Sequence, residues 1–321
     1  MGTKEFIRKI PVPICGLSLG LASLDRFLWY VHNDIYVFNI FALLAFIILI
    51  LFTLRMMIDR KGVAKDIASP AVFGVLPTYT MTVMLLSAYA ADHAGGIVRD
   101  IALVPWLGAI AASYVMMLLF AKRFFFNFSI DRVFPSWIIV FVGYVVASLT
   151  SISFGMEQLG QVIFWSGFIG YMCMLPLTAY RILVHRNIPG PLIPTTAIFA
   201  APANLCIVGY IASYGAPAGT ADIVFIILVI LGVVSYASVM LYLPVMLGRK
   251  FHPSFSSLTF PLVISAVSFY RLGDLYGLLS NDTFRIIQTG TLVIAVCMVV
   301  YVSLMYTAFL CRGVKKSVSG P

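Results

Sequence analysis

Ten runs of roughly twenty apolar residues follow one another between residues 11 and 310. Each is long enough to cross the ~30 Å hydrocarbon core of a bilayer as a helix. In lipid the backbone N–H and C=O groups find no water, so only helices and closed barrels satisfy them. A barrel would show short segments alternating between polar and apolar residues, and these runs do not alternate. The composition agrees, with 61% hydrophobic and 10% charged residues, against about 25% charged in a soluble domain. The expected fold is an all-α integral membrane protein with ten transmembrane helices. Nothing between the runs is long enough for a soluble domain, so residues 1–321 read as a single transmembrane domain. Pro11 and Pro13 open the first run, and no small-residue cleavage site follows it. It is therefore expected to be retained, not removed as a signal peptide.

Charge sets the expected orientation. With the N-terminus in the cytoplasm and the runs alternating, only Arg26, Arg99, Arg271 and Arg285 of the 21 Lys and Arg fall on the far face. Acids such as Asp25, Asp34, Asp92, Asp100, Glu157 and Asp222 lean the other way. The positive-inside rule then puts both termini in the cytoplasm, and a plasma (inner) membrane is the expected location. The net charge of +9 reflects this topology, and no nucleic-acid partner is expected. An odd number of cysteines, Cys15, Cys173, Cys206, Cys297 and Cys311, set in or at the ends of the runs, argues against a disulfide framework and for packing thiols.

A repeat underlies the ten runs. Pro13, Pro70, Pro135, Pro194 and Pro253 open the odd-numbered runs at intervals of about 60 residues, which fits one helical hairpin per repeat. The hairpins read as 11–58, 70–121, 134–184, 191–247 and 254–310. Seven or eight residues after the opening proline stands a second Pro or Gly: Pro77, Gly143, Pro202 and Pro261. The first run departs, with Gly16 and Gly20 instead. The odd runs carry small or hydroxylated rows, Gly16-Gly20-Ser23, Gly74-Thr78-Thr82, Ser136-Val140-Gly143-Ala147 and Ala197-Ala201-Asn204. The even runs are bulkier, as lipid contact requires, although Pro105, Gly167, Gly170 and Pro176 blur the contrast. The expected arrangement is a quasi-fivefold ring, odd helices inside around a central pore and even helices outside. Close helix packing is the plainer explanation of each small row.

The run from His252 to Tyr270, HPSFSSLTFPLVISAVSFY, concentrates these features. Pro261 removes a backbone donor in mid-helix, which a bilayer tolerates only beside protein or a water-filled cavity. Phe260 stands directly before the break, among Ser254, Ser256, Ser257, Thr259, Ser265 and Ser268. It is expected to be a plug on a hinge, the pore gate, with Gly16, Gly20, Pro77, Gly143, Pro202, Pro261 and Ser265 as pore-lining or hinge residues. A kinked helix with a packed Phe is the plainer alternative.

Several chemistries are missing. His32, His93, His185 and His252 lie near loops, which removes haem and most metal sites. No Asp or Glu sits deep enough for a proton or sodium relay. No phosphate-binding or dinucleotide fingerprint occurs, and no His–acid pair activates a Ser or Thr. No catalytic residue, cofactor or metal is expected, and the chain is not read as an enzyme. What remains is a narrow, uncharged path dotted with Ser and Thr. Broken helices can hold an anion there by their exposed N–H groups and terminal partial charges.

GLSLGLASL in the first run and SLTFPLVISA in the ninth, with ten runs in five hairpins, resemble the tellurite-resistance/dicarboxylate transporter family. That family includes bacterial TehA, the fungal malate transporter and the slow anion channels of plant guard cells. The resemblance implies an anion pore of five inner helices blocked by a Phe, in a homotrimer. It matches Phe260 to the blocking Phe and Gly16 to the pore-facing glycine of the first helix. Cys15 and Ser18 depart from the first-helix motif, and the long regulatory tails of the plant channels are lacking. The expected function is an anion channel or passive anion transporter, with small inorganic or organic anions and membrane lipid as partners. The alternative within transport is a coupled transporter or exporter of C4-dicarboxylate, sulfite or tellurite-type oxyanions. From another class, it is a membrane enzyme or scaffold.

Overall fold

A computed structural model describes residues 3–31, 39–126, 128–217 and 221–318. His32 and Asp34 lie outside the described residues. Among these, ten helical spans are long and apolar enough to cross a membrane: span 1 Ile14–Val31, span 2 Asn39–Ile58, span 3 Pro70–Ala94, span 4 Gly96–Phe124, span 5 Trp137–Phe154, span 6 Glu157–His185, span 7 Gly190–Tyr214, span 8 Ile223–Leu247, span 9 Pro253–Leu275 and span 10 Asp282–Arg312.

Burial divides them cleanly. Within the most apolar stretch of each span, 67–83% of residues are buried in the odd spans and only 22–33% in the even ones. Spans 4 and 6 join the outer set despite Pro105 and Pro176, which sit inside continuous helices. Span 1 packs on span 3, span 3 on span 5, span 5 on span 7, span 7 on span 9, and span 9 back on span 1. The contacts of the odd spans thus run in a closed cycle. Each even span packs on the odd span before it, leaving Leu44, Ile101, Val162, Ile227 and Val293 exposed on the outer faces.

Four odd spans are broken. Span 3 is a short helix Pro70–Phe73 followed by a second from Pro77. Span 5 passes into a 3-10 turn at Gly143–Val145. Span 7 begins as a 3-10 helix, Gly190–Ala200, and turns α-helical at Ala201 beside Pro202. Span 9 is 3-10 over Pro253–Leu258 and α-helical from Phe260. Span 1 is unbroken. A 3-10 run longer than three or four residues is unusual, and hydroxyl groups sustain the one in span 7. Pro194 has no N–H, so the Pro191 carbonyl loses its 3-10 donor. Ser254 of span 9 donates to it instead, and Ser257 donates to the carbonyl of Pro194 at 2.6 Å. Thr259 in turn bonds the Gly16 carbonyl of span 1 at 3.0 Å. The breaks are therefore stitched to neighbouring helices.

Two cavities and the layer between them

Two cavities open along the odd spans. The proximal one, at the end where these spans begin, has a volume of about 80 Å³ and draws its wall from all five. The distal one, at the opposite end, has a volume of about 490 Å³. The lining residues locate the layer that parts them. Leu19 faces the proximal cavity and Ser23 the distal one; the same holds for Met81 and Leu85, Leu205 and Val208, and Phe260 and Ile264. In span 5 the step is longer, from Gly143 to Leu149. Three or four residues at 1.5 Å per residue make a layer about 4.5–6 Å thick. Its proximal face is apolar, from Leu19, Met81, Val142, Leu205 and Phe260, and its distal face sets one hydroxyl, Ser23, among Leu85, Leu149, Val208 and Ile264. Phe260 is 5% exposed.

The predicted site residues separate into two groups. Gly16, Gly143, Pro202, Phe260 and Pro261 line the proximal cavity. Gly20, Pro77 and Ser265 line neither cavity. Gly20 is a close-approach point, where an added Cβ would lie 2.5 Å from the Thr259 side chain and 3.1 Å from the Phe260 nitrogen. Pro77 opens the second helix of span 3. Ser265 is fully buried between spans 7 and 9, donating to the carbonyls of Ala200 and Pro261 and accepting from Asn204 at 3.1 Å. In this conformation two backbone carbonyls and an amide take up the Ser265 hydroxyl.

The hydroxyls expected along the path are bonded to backbone in a similar way. Thr78, Thr195, Ser254 and Ser257 border the proximal cavity, but their hydrogens point to the carbonyls of Val75, Leu192, Pro191 and Pro194. Membrane helices leave hydroxyls no water, and a nearby carbonyl is the ready acceptor. The small rows mostly face neighbouring helices. A Cβ on Gly74 would lie 2.5 Å from Ser136, and Asn204 bonds span 8 at Gly232 as well as Ser265. The cavity wall follows a different row at helical spacing, Val75–Thr78–Met81 in span 3 and Ile198–Ala201–Leu205 in span 7.

His252 also reaches the proximal cavity. Its Nδ1 accepts from the Ser254 N–H at 3.2 Å and caps the 3-10 helix. Burial lowers its pKa below the ordinary value of 6.5.

The distal cavity is charged. Arg26 pairs with Asp92 at 3.0 Å and donates to Ser153 at 3.0 Å. Arg271 lies over the Tyr30 ring, 4.4 Å from its centre, and donates to its hydroxyl. Among the described residues neither arginine forms an ion pair with Asp25 or Asp274. Nor is span 1 free of a deep acid: Asp25 is fully buried there. It accepts from the Ala42 N–H at 3.0 Å, in the first turn of span 2, where a helix leaves donors unpaired and favours negative charge. Sequence alone missed this because Asp25 looks like a loop acid at the end of an apolar run.

Among the described residues no cluster of His, Cys, Asp and Glu could hold a metal. The free Cys15 and Cys206 are buried, whereas Cys173, Cys297 and Cys311 are exposed on the outer helices.

Comparison with known proteins agrees with this architecture. The family model described as voltage-dependent anion channel matches residues 11–307. An uncharacterized transporter of Methanocaldococcus jannaschii is 27% identical over 61% of this chain and 61% of its own length. The match thus covers less than two thirds of that relative. Both findings are of membrane transport proteins. The chain belongs to the voltage-dependent anion channel family.

Proposed function

We propose that the protein is an anion channel or passive anion transporter whose path runs through the five odd spans and is closed by Phe260. The observation that carries this reading is the apolar layer about one helical turn thick between the two cavities, with Phe260 on its face. A hydrated ion crosses such a layer only by shedding water without replacement ligands. Phe260 stands where the 3-10 segment of span 9 gives way to α-helix, so backbone rotation at Thr259 moves the ring. Gly16, Gly143, Pro202 and Pro261 form the wall around it, and Gly20 and Pro77 act as hinge and close-approach points.

Coupled transport gains no support from Asp25, which lines neither cavity and is bonded to the first turn of span 2. We further propose that the proximal end faces the cytoplasm of a plasma (inner) membrane, because Lys and Arg gather there. As the family resemblance implies, the assembly is proposed to be a homotrimer, which light scattering of the purified protein tests. The central experiment records current across reconstituted bilayers under anion gradients, for the wild type and Phe260→Ala. A proton-independent anion current that rises in the mutant supports the reading. A current carried by cations, or one that requires a proton gradient, sinks it.

A further inference from the structure

The distal cavity has the chemistry of a binding site as well as of a mouth. It presents two guanidinium groups and one carboxylate, from Arg26, Arg271 and Asp92. The ion pair of Arg26 with Asp92 offsets one positive charge. Among the described residues no carboxylate lies within 4.0 Å of Arg271. The cavity therefore carries one net positive charge, centred on Arg271.

The hydroxyl groups beside the guanidiniums suit an anion. The Tyr30 oxygen accepts from Arg271 and the Ser153 oxygen accepts from Arg26. A hydroxyl that accepts at its oxygen keeps its own hydrogen for another partner. Each hydroxyl thus has a hydrogen left to donate to an anion in the cavity, polarised by the guanidinium it already binds. The Tyr30 ring beneath its Cζ and the bond to the Tyr30 hydroxyl hold the Arg271 guanidinium in place. A planar fork held in one orientation matches two oxygens of a planar anion better than it matches a sphere.

We propose that the distal cavity is a capture site for monovalent carboxylates and other planar oxyanions, held by Arg271 and the Tyr30 hydroxyl, with Arg26 and Ser153 as the opposite wall. The single net charge favours a monoanion over a dianion. This rests on the reading of the chain as an anion path, but capture needs no open gate, so the two are separable.

The test is calorimetric titration of the detergent-solubilised full chain with formate, at low chloride. Saturable binding is expected, with formate tighter than sulfate. Arg271→Gln should weaken formate binding about tenfold or more, the effect of losing a charge-assisted pair. Arg271→Lys keeps the charge without the fork and should fall between. Asp92→Asn removes the competing carboxylate and should bind more tightly than the wild type. Phe260→Ala should bind as the wild type does. No saturable binding by the wild type, sulfate tighter than formate, or unchanged affinity in a folded Arg271→Gln protein would each overturn the proposal. Should that variant not fold, Arg271→Lys binding formate like the wild type, or Asp92→Asn failing to tighten it, has the same force. A silent Phe260→Ala channel that still binds formate sinks the gate alone, and a conducting one with no formate site sinks the capture site alone.

Discussion

Removing the Phe260 ring tests the apolar layer directly. The layer is about one turn thick, and Phe260 is the one aromatic side chain on its proximal face, beside Leu19, Met81, Val142 and Leu205. Phe260→Ala joins the ring's volume to the proximal cavity and thins the water-excluding wall. If the ring contributes about 3 kcal/mol to the barrier, conductance rises about a hundredfold, at 1.36 kcal/mol per tenfold. Phe260→Leu keeps most of the bulk and should conduct far less. Stability also falls, because the ring is only 5% exposed and loses packing partners. The loss should stay below the roughly 3–5 kcal/mol of a water-soluble core, since unfolded membrane helices remain in an apolar medium. Phe255 supplies the control. It lies in the same span, is fully buried against Phe251 at 5.4 Å between ring centres, and lines neither cavity. Phe255→Ala should melt lower and stay silent. Planar-bilayer currents and melting temperatures, measured on the same preparations, decide the matter. A folded Phe260→Ala protein as silent as Phe255→Ala refutes the gate.

Three further outcomes are expected. In the Phe260→Ala channel, iodide and nitrate should pass more readily than chloride, because the proximal cavity offers only weak ligands in place of the hydration shell; reversal potentials that rank sulfate first would contradict this. Gly20→Ala should destabilise the fold by about 1–3 kcal/mol through overpacking, since its Cβ would lie 2.5 Å from Thr259; a melting temperature equal to the wild type's would show that the spans separate freely. His252 should make stability pH-dependent. Its folded pKa lies below 6.5, so the unfolded chain binds more protons between the two values and stability rises with pH there. The stability is complete above about pH 6.5 and falls as pH drops through the folded pKa. His252→Ala should flatten that slope in thermal melts, and an unchanged slope would assign it to other groups.

The sequence carried the architecture further than the site. Ten apolar runs, prolines at a regular interval and bulky even helices are consequences of lipid contact and chain punctuation, both readable residue by residue. Phe260 and Pro261 could be singled out because a mid-helix proline next to a large aromatic in a membrane span is chemically conspicuous. The lining row was harder. Gly74, Thr78 and Thr82 look like one face of span 3, yet Val75, Thr78 and Met81 border the cavity. Small residues mark where two helices approach closely, and each odd span meets two odd neighbours and an even one but turns only one side to the cavities. The partners of the hydroxyls were hidden for a related reason. A Ser or Thr in lipid bonds the nearest free carbonyl, and broken helices supply many of those. Asp25 escaped notice because its partner, the first turn of span 2, is set by tertiary packing alone.

The two cavities differ in a way that bears on the direction in which the proposed path is used. The distal cavity is about six times the volume of the proximal one and holds cations and hydroxyl donors. The proximal cavity has donors committed to backbone carbonyls, and a neutral His252 whose Nδ1 is already occupied by the Ser254 N–H. An anion entering distally meets replacement ligands before it must lose water, whereas one entering proximally meets few until the layer is crossed. Local concentration near a fixed cation falls with ionic strength over a Debye length of about 8–10 Å. The opened channel should therefore pass anions more easily from the distal side at low salt, and this asymmetry should fade as salt rises. Arg271→Gln should remove most of the asymmetry while leaving the high-salt conductance of Phe260→Ala intact. A current–voltage curve that stays asymmetric in the double variant would place the asymmetry in the gate itself and not in the charge of the distal mouth.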